Sequence, residues 1–156
     1  MTSLYTQLVS KVLFRLHERL KSHTTYTMLA RLERSQWLTA SQIDDIQQRR
    51  LQAFIDDISQ HSPYYQQLFK TPGLSASDIR SVADLNKLPF LTKQLITDNQ
   101  QALCSEPQHT LQRYNTGGSS GVPLIFYMGK ARVSHDVAAK LRATRWWDVD
   151  IGDPEV

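Results

Sequence analysis

Leu4, Leu8, Val12, Leu16 and Leu20 recur four apart at the start of the chain, and Leu13 and Phe14 widen the apolar stripe. That spacing predicts an amphipathic helix over residues 4–20. Its polar side carries Lys11, Arg15, Arg19 and Lys21. Two destinations therefore compete for the stripe. The body of the protein is favoured, because most amphipathic helices pack; a membrane surface is the alternative. A second helical piece is expected over residues 27–34, leading to Thr39 and Gln42 at the spacing of a capping box. The run that follows, to about residue 60, brings Ile43, Ile46, Phe54 and Ile58 together on a helical wheel and leaves Arg49, Arg50, Asp56 and Asp57 for water. These read as scaffold helices.

The next stretch is short and punctuated. In HSPYYQQLFK, Ser62 can cap and Pro63 can take the first helical position, with Tyr64, Tyr65, Leu68 and Phe69 burying one side of a brief helix. Residues 71–77 read as a loop. Ser81 and Asp84 then have capping-box spacing, Pro89 stops the local element, and Thr92 can start another short helix. Near Leu111 the texture turns extended. LQRYN and VPLIFYM flank a glycine-serine loop, and a helix is expected from about residue 133 to 147. Trp146 and Trp147 close it, one expected in the core and the other as a docking contact.

The loop concentrates the candidate chemistry. Three of the chain's six glycines fall within five residues, in TGGSSGVP. Ordering glycine is entropically unfavourable, so such a loop needs a compensating interaction. Gly117, Gly118 and Gly121 permit tight backbone and close approach of phosphate to amides, while Thr116, Ser119 and Ser120 add hydroxyls that can follow polyphosphate oxygens. A flexible hairpin loop is the competing reading. The stretch is not GxxxxGK[ST], since Val122 follows Gly121, nor GxGxxG opening a helix, since Pro123 and an extended run follow. Its serines have no identifiable histidine and acid partners for nucleophilic catalysis.

Composition narrows the classes without choosing among them. The chain has 156 residues, 40% of them hydrophobic and 21% charged, with a formal net charge of +3. That suits a globular chain able to bury a core and gives little reason to expect nucleic acid. The lone Cys104 excludes an intramolecular disulfide and fits a reducing, cytoplasmic setting. His17, His23, His61, His109 and His135 lack metal-ligand spacing, so no metal site is expected. No apolar run is long enough to cross a bilayer, and no cleaved leader is read, which leaves peripheral attachment at the inner face of the membrane as an open alternative.

TGGSSGVP resembles the phosphate-binding signature of the adenylate-forming superfamily. The fuller YNTGGSSGVPL is most similar to the branch containing phenylacetate-coenzyme A ligase and proteins of capsular polysaccharide biosynthesis. HSPYYQQLF and SVADLNKLPFLTKQLI resemble that branch's N-terminal region, so the likeness covers about residues 54–130. It implies an ATP-dependent, carboxylate-activating ligase that forms an acyl-adenylate and passes the acyl group to a thiol, such as coenzyme A, or an amine. Thr116, Gly117, Gly118, Ser119, Ser120 and Gly121 match the part that holds the ATP phosphates, with Mg2+ sharing the charge. No catalytic residue can be assigned. Two lysines common in that signature are replaced by Val122 and Leu124, and Arg113 and Lys130 flank the segment without a fixed direction; Lys93 matches the threonine-lysine segment but reads more simply as a solvent-facing helix start.

The resemblance further implies adenine, metal and C-terminal lysine motifs that would follow Val156. The expectation is thus an N-terminal fragment, inactive alone, whose partners include the missing C-terminal portion. Its fold would be an α+β piece of a larger mixed α/β domain, with exposed apolar surface where further strands pack. Residues 1–53 are expected to form an N-terminal helical region and 54–156 the incomplete adenylate-forming portion. The competing class is a non-catalytic protein derived from such an enzyme, binding a membrane or a partner through the basic N-terminal helix.

Overall fold

The computed structural model describes residues 4–117, 121 and 123–153. It is helix-rich, with one late antiparallel hairpin, and divides into two compact units: residues 1–38 with 129–156, and residues 39–128.

In the first unit α1 (Leu4–Leu8), a π-helical stretch (Val9–Leu13) and α2 (Phe14–Leu20) form one continuous helix, since Leu8 and Leu13 at the joints are themselves helical. α2 ends at Ser22 in the left-handed region, φ 56°. The His23 N–H donates to the Glu18 carbonyl at 2.9 Å and the Ser22 N–H to Arg19 at 3.0 Å, the two bonds of a Schellman cap. Helix α3 (Thr25–Ser35) then packs on α7 (Lys130–Arg145), and Leu29, Ala138 and Leu141 make the buried core, with Phe14, Met28 and Ile151 against it.

Polar groups also tie this unit together. Buried Ser134 accepts the Thr24 N–H at 3.1 Å and donates to the Lys130 carbonyl at 2.8 Å. Buried Glu18 accepts the Thr25 hydroxyl and lies 3.2 Å from His23 Nδ1. Arg145 reaches Glu33 at 2.6 Å and Asp150 at 3.0 Å; burial pulls its guanidinium down, but the two carboxylates outweigh that and hold it above its ordinary value. Asp148 gives α7 the same left-handed exit, φ 56°. Beyond it, Gly152 runs so close to the N-terminal helix that a Cβ there would stand 3.0 Å from Val9 Cβ and 3.2 Å from Thr6 Cα.

Two expectations fail here. The row Leu4, Leu8, Val12, Leu16 and Leu20 does not pack; every member is more than half exposed, because the helix is docked by Thr6, Phe14 and Glu18 on its other side. Neither terminal tryptophan is in the core. Trp146 donates from its indole nitrogen to Gln36 Oε1 at 2.8 Å and Trp147 is exposed.

The second unit is organised by α4 (Ala40–His61). Thr39 caps it, its hydroxyl accepting the Gln42 N–H at 3.4 Å while Gln42 Oε1 accepts the Thr39 N–H at 3.0 Å, as the spacing predicts. Its buried side is Ile55 and Ile58, with Leu51 half-buried, packed against Ile79, Tyr65 and Phe69. Ile43 and Phe54, expected inside, are exposed. With Ile46, Val82 and Leu85 they line a shallow apolar groove of about 460 Å3.

Short elements finish this unit. Helix α5 (Pro63–Leu68) has Pro63 in its first turn, but buried Ser62 does not cap it with its side chain; the hydroxyl donates instead to the Ala102 carbonyl at 2.9 Å, where the Tyr64 N–H also arrives at 2.9 Å. The 3-10 turn Val82–Lys87 is held by Asp84, which accepts the Ser81 N–H at 2.9 Å and hydroxyl at 2.8 Å. Thr92 caps α6 (Lys93–Asp98) through the Leu95 N–H at 3.1 Å. Strands β1 (Gln112–Asn115) and β2 (Ile125–Met128) close the unit.

Candidate functional site

The glycine-serine loop is the tip of the β1–β2 hairpin. Its strands are short but rich in aromatic and β-branched residues, and they pair in a single register: Gln112 with Met128, Arg113 with Tyr127, Tyr114 with Phe126, Asn115 with Ile125. Tyr114 and Phe126 stack across the ladder with ring centroids 5.9 Å apart. An aromatic pair of this kind resists slippage, because moving the register by one residue would send the two rings to opposite faces.

Thr116 and Leu124 continue the same register by one further step. The Thr116 N–H donates to the Leu124 carbonyl at 3.0 Å, and the Leu124 N–H returns to the Thr116 hydroxyl oxygen at 3.0 Å. In an ordinary hydrogen-bonded pair the second bond would go to the main-chain carbonyl. Substituting a side chain for the main-chain carbonyl ends the ladder at Thr116 and Leu124. The hydroxyl's own proton is not used in that bond, so Thr116 can clamp the loop and still donate.

Glycine is present for different reasons at the two described positions. Gly121 has φ +139°, a region that side chains rarely adopt, so its backbone shape alone calls for glycine. Gly117 has no positive φ, and a Cβ there would meet nothing within 4 Å. Among the described residues, no packing contact explains its lack of a side chain. Gly118, Ser119 and Ser120, the remaining expected phosphate ligands, lie outside the described residues, as does Val122.

The cations beside the loop are partly resolved by strand parity. Alternate side chains face opposite ways along a strand, which puts Arg113 on the face opposite Tyr114 and Thr116. Exposed Arg113 therefore does not share a face with the Thr116 hydroxyl. Lys93 is exposed at the first position of α6, in keeping with a solvent-facing helix start. Among the described residues no three His, Cys, Asp or Glu side chains come together as a metal site, and no helix is long and apolar enough to cross a membrane.

Sequence reading singles out Leu124 only as a replaced lysine and misses its backbone as the other half of the clamp. The only available signal was arithmetic: once Tyr114 and Phe126 are paired, residues 116 and 124 must face each other.

No protein-family model matches the chain. Over 94 residues it is 31% identical to Protein CapK of Staphylococcus aureus, a match covering 60% of this chain and 21% of that protein. The chain thus spans about a fifth of the length of the curated relative it matches, and the likeness is partial and distant.

Proposed function

We propose that the chain is the N-terminal part of an ATP-dependent, carboxylate-activating ligase, and that its hairpin loop holds the β- and γ-phosphates of ATP. The observation that carries this reading is the double hydrogen bond across the loop's mouth beside an unencumbered Gly117. Thr116 and Leu124 fix the loop's mouth, while Gly117 lacks a side chain that nothing nearby would obstruct. Backbone amides left accessible in that way suit close approach by an anion. The partial identity to Protein CapK and the ordered motifs over residues 54–130 lend it support.

On this reading Thr116 and, from sequence, Ser119 and Ser120 donate hydroxyl hydrogens to phosphate oxygens, and the glycine amides of 117, 118 and 121 accommodate the rest. Mg2+ would neutralise charge on the leaving pyrophosphate. The acidic residue that would handle it belongs to the later motifs that the resemblance implies. The acid is activated as an acyl-adenylate, and a thiol such as coenzyme A, or an amine, receives the acyl group. The proposed boundary near residue 54 marks where the family-like motifs begin.

The test is carboxylate-dependent exchange of labelled pyrophosphate into ATP, run on the 156-residue chain alone and on a longer protein in which the later motifs implied by the resemblance are joined to it. Exchange is expected only for the longer protein. Turnover by the short chain, or none by the longer one across aliphatic and aromatic acids, would sink the proposal.

A further inference from the structure

The helix of residues 4–20 turns its apolar row away from the core of its own unit. Thr6 and Glu18 are buried, Ser10 is half-buried and Phe14 packs on the core; these four recur four apart on the inward side. Leu4, Leu8, Val12, Leu16 and Leu20 stand two positions further on, about 200° round a helical wheel. They occupy the opposite side, at 87, 52, 51, 54 and 78% exposure.

The orientation is fixed by contacts that rolling the helix would break. Thr6 Oγ1 donates to the Gly152 carbonyl at 3.2 Å, the Tyr26 hydroxyl donates to the Ser10 carbonyl at 3.0 Å, and Glu18 takes the Thr25 hydroxyl. The π-helical stretch also serves the outer row. In an unbroken α-helix every fourth residue drifts by roughly 40° per step, and the wider turns of Val9–Leu13 work against that drift. The apolar row runs roughly 24 Å along the helix.

Charge identifies what such a ridge fits. Lys11, Arg15 and Arg19 each directly precede Val12, Leu16 and Leu20, and Lys21 follows; all four are exposed. The only carboxylate among residues 4–21, Glu18, is buried and hydrogen-bonded. The outer surface of the helix is therefore apolar and cationic with no opposing charge. Lys11, Arg15 and Arg19, with Val12 and Leu16, also line a cleft of about 600 Å3, in which the Arg15 guanidinium lies 4.7 Å from the Tyr26 ring centroid.

We propose that this helix docks the protein on an anionic lipid bilayer, with the apolar row at the acyl boundary and the cations among the headgroups. Pairing of two copies through the row would set like-charged flanks against each other, which disfavours a second copy as the occupant. The proposal is independent of nucleotide chemistry.

Flotation of the 156-residue chain with vesicles tests it, using phosphatidylcholine alone and phosphatidylcholine mixed equally with phosphatidylglycerol. Binding is expected only to the anionic vesicles and should fall with salt. Neutralising Lys11→Gln, Arg19→Gln and Lys21→Gln together, leaving Arg15 on Tyr26, should weaken it about 100-fold. Leu4→Ser with Leu20→Ser should weaken it at least about 10-fold. These side chains are exposed, so unchanged circular dichroism will confirm that the variants fold. Absence of binding, equal binding to both vesicles, insensitivity to either set of substitutions, or a dimer abolished by Leu4→Ser with Leu20→Ser in place of vesicle binding would overturn the proposal.

Discussion

Thr116 and Leu124 are joined twice across the mouth of the glycine-serine loop, once through main chain and once through the Thr116 hydroxyl, each at 3.0 Å. The hydroxyl thus has a structural duty before any ligand arrives. Thr116→Val keeps the shape and β-branching but removes the acceptor for the Leu124 N–H. Loss of that neutral hydrogen bond alone, a net of about 0.5–1.5 kcal/mol, should weaken triphosphate binding by about 2- to 10-fold, and loss of the hydroxyl proposed to donate to phosphate adds to it. Thr116→Ser should restore most of it. Titration of ATP against the three proteins checks this, and equal affinity for the valine and serine forms would separate the clamp from ligand binding.

Ser134 joins the start of α3 to α7 by accepting the Thr24 N–H and donating to Lys130. Its side chain is buried, so Ser134→Ala removes the acceptor of the Thr24 N–H from inside the unit. Loss of about 1–3 kcal/mol of stability is expected by urea unfolding. Ser134→Thr retains the hydroxyl but adds a methyl group at a filled position, and is expected to be only partly tolerated.

Asp84 is held well below the usual carboxylate range, first by the Lys87 ammonium, then by the Ser81 hydroxyl and the Arg80 N–H. A depressed folded-state value means that the folded form resists protonation. Its stabilising contribution is complete above the unfolded value of about 4 and declines progressively as pH falls below it. The difference in urea midpoint between the parent and Asp84→Asn should therefore be largest near neutrality and shrink in acid. A gap that does not change with pH would mean that the carboxylate charge is not what holds the Val82–Lys87 turn.

Adjacent residues of α4 offer a sharper stability contrast. Ile55 is 2% exposed and Phe54 is 54% exposed. Ile55→Ala should cost about 2–5 kcal/mol through lost burial and a cavity. Phe54→Ala should cost less than about 1 kcal/mol, despite removing the larger side chain. Denaturant unfolding of the two variants checks the order, and its reversal would misplace the core.

That contrast shows where sequence reading stops. Wheel arithmetic placed Phe54 with Ile58, and it could not tell that row from the adjoining Leu51, Ile55 and Ile58. The choice depends on where Ile79, Tyr65 and Phe69 arrive, which is a tertiary fact. The N-terminal helix repeats the lesson more strongly: four-residue periodicity located it, but polar anchors at Thr6 and Glu18 decided which side faces out. Local chemistry was far more legible. The caps at Thr39 and Thr92, the Asp84 turn and the two strands all depend on residues close in sequence. The glycine loop stood out by composition, while the clamp that shapes it appeared only with the register.

The most direct test of the phosphate-holding loop is an amide chemical-shift titration of the chain with ATP, set beside adenosine. The account predicts saturable shifts of the Thr116, Gly117 and Gly121 amides with ATP, absent with adenosine and reduced by Thr116→Val. Loop amides unmoved by ATP, or moved equally by adenosine, would contradict it.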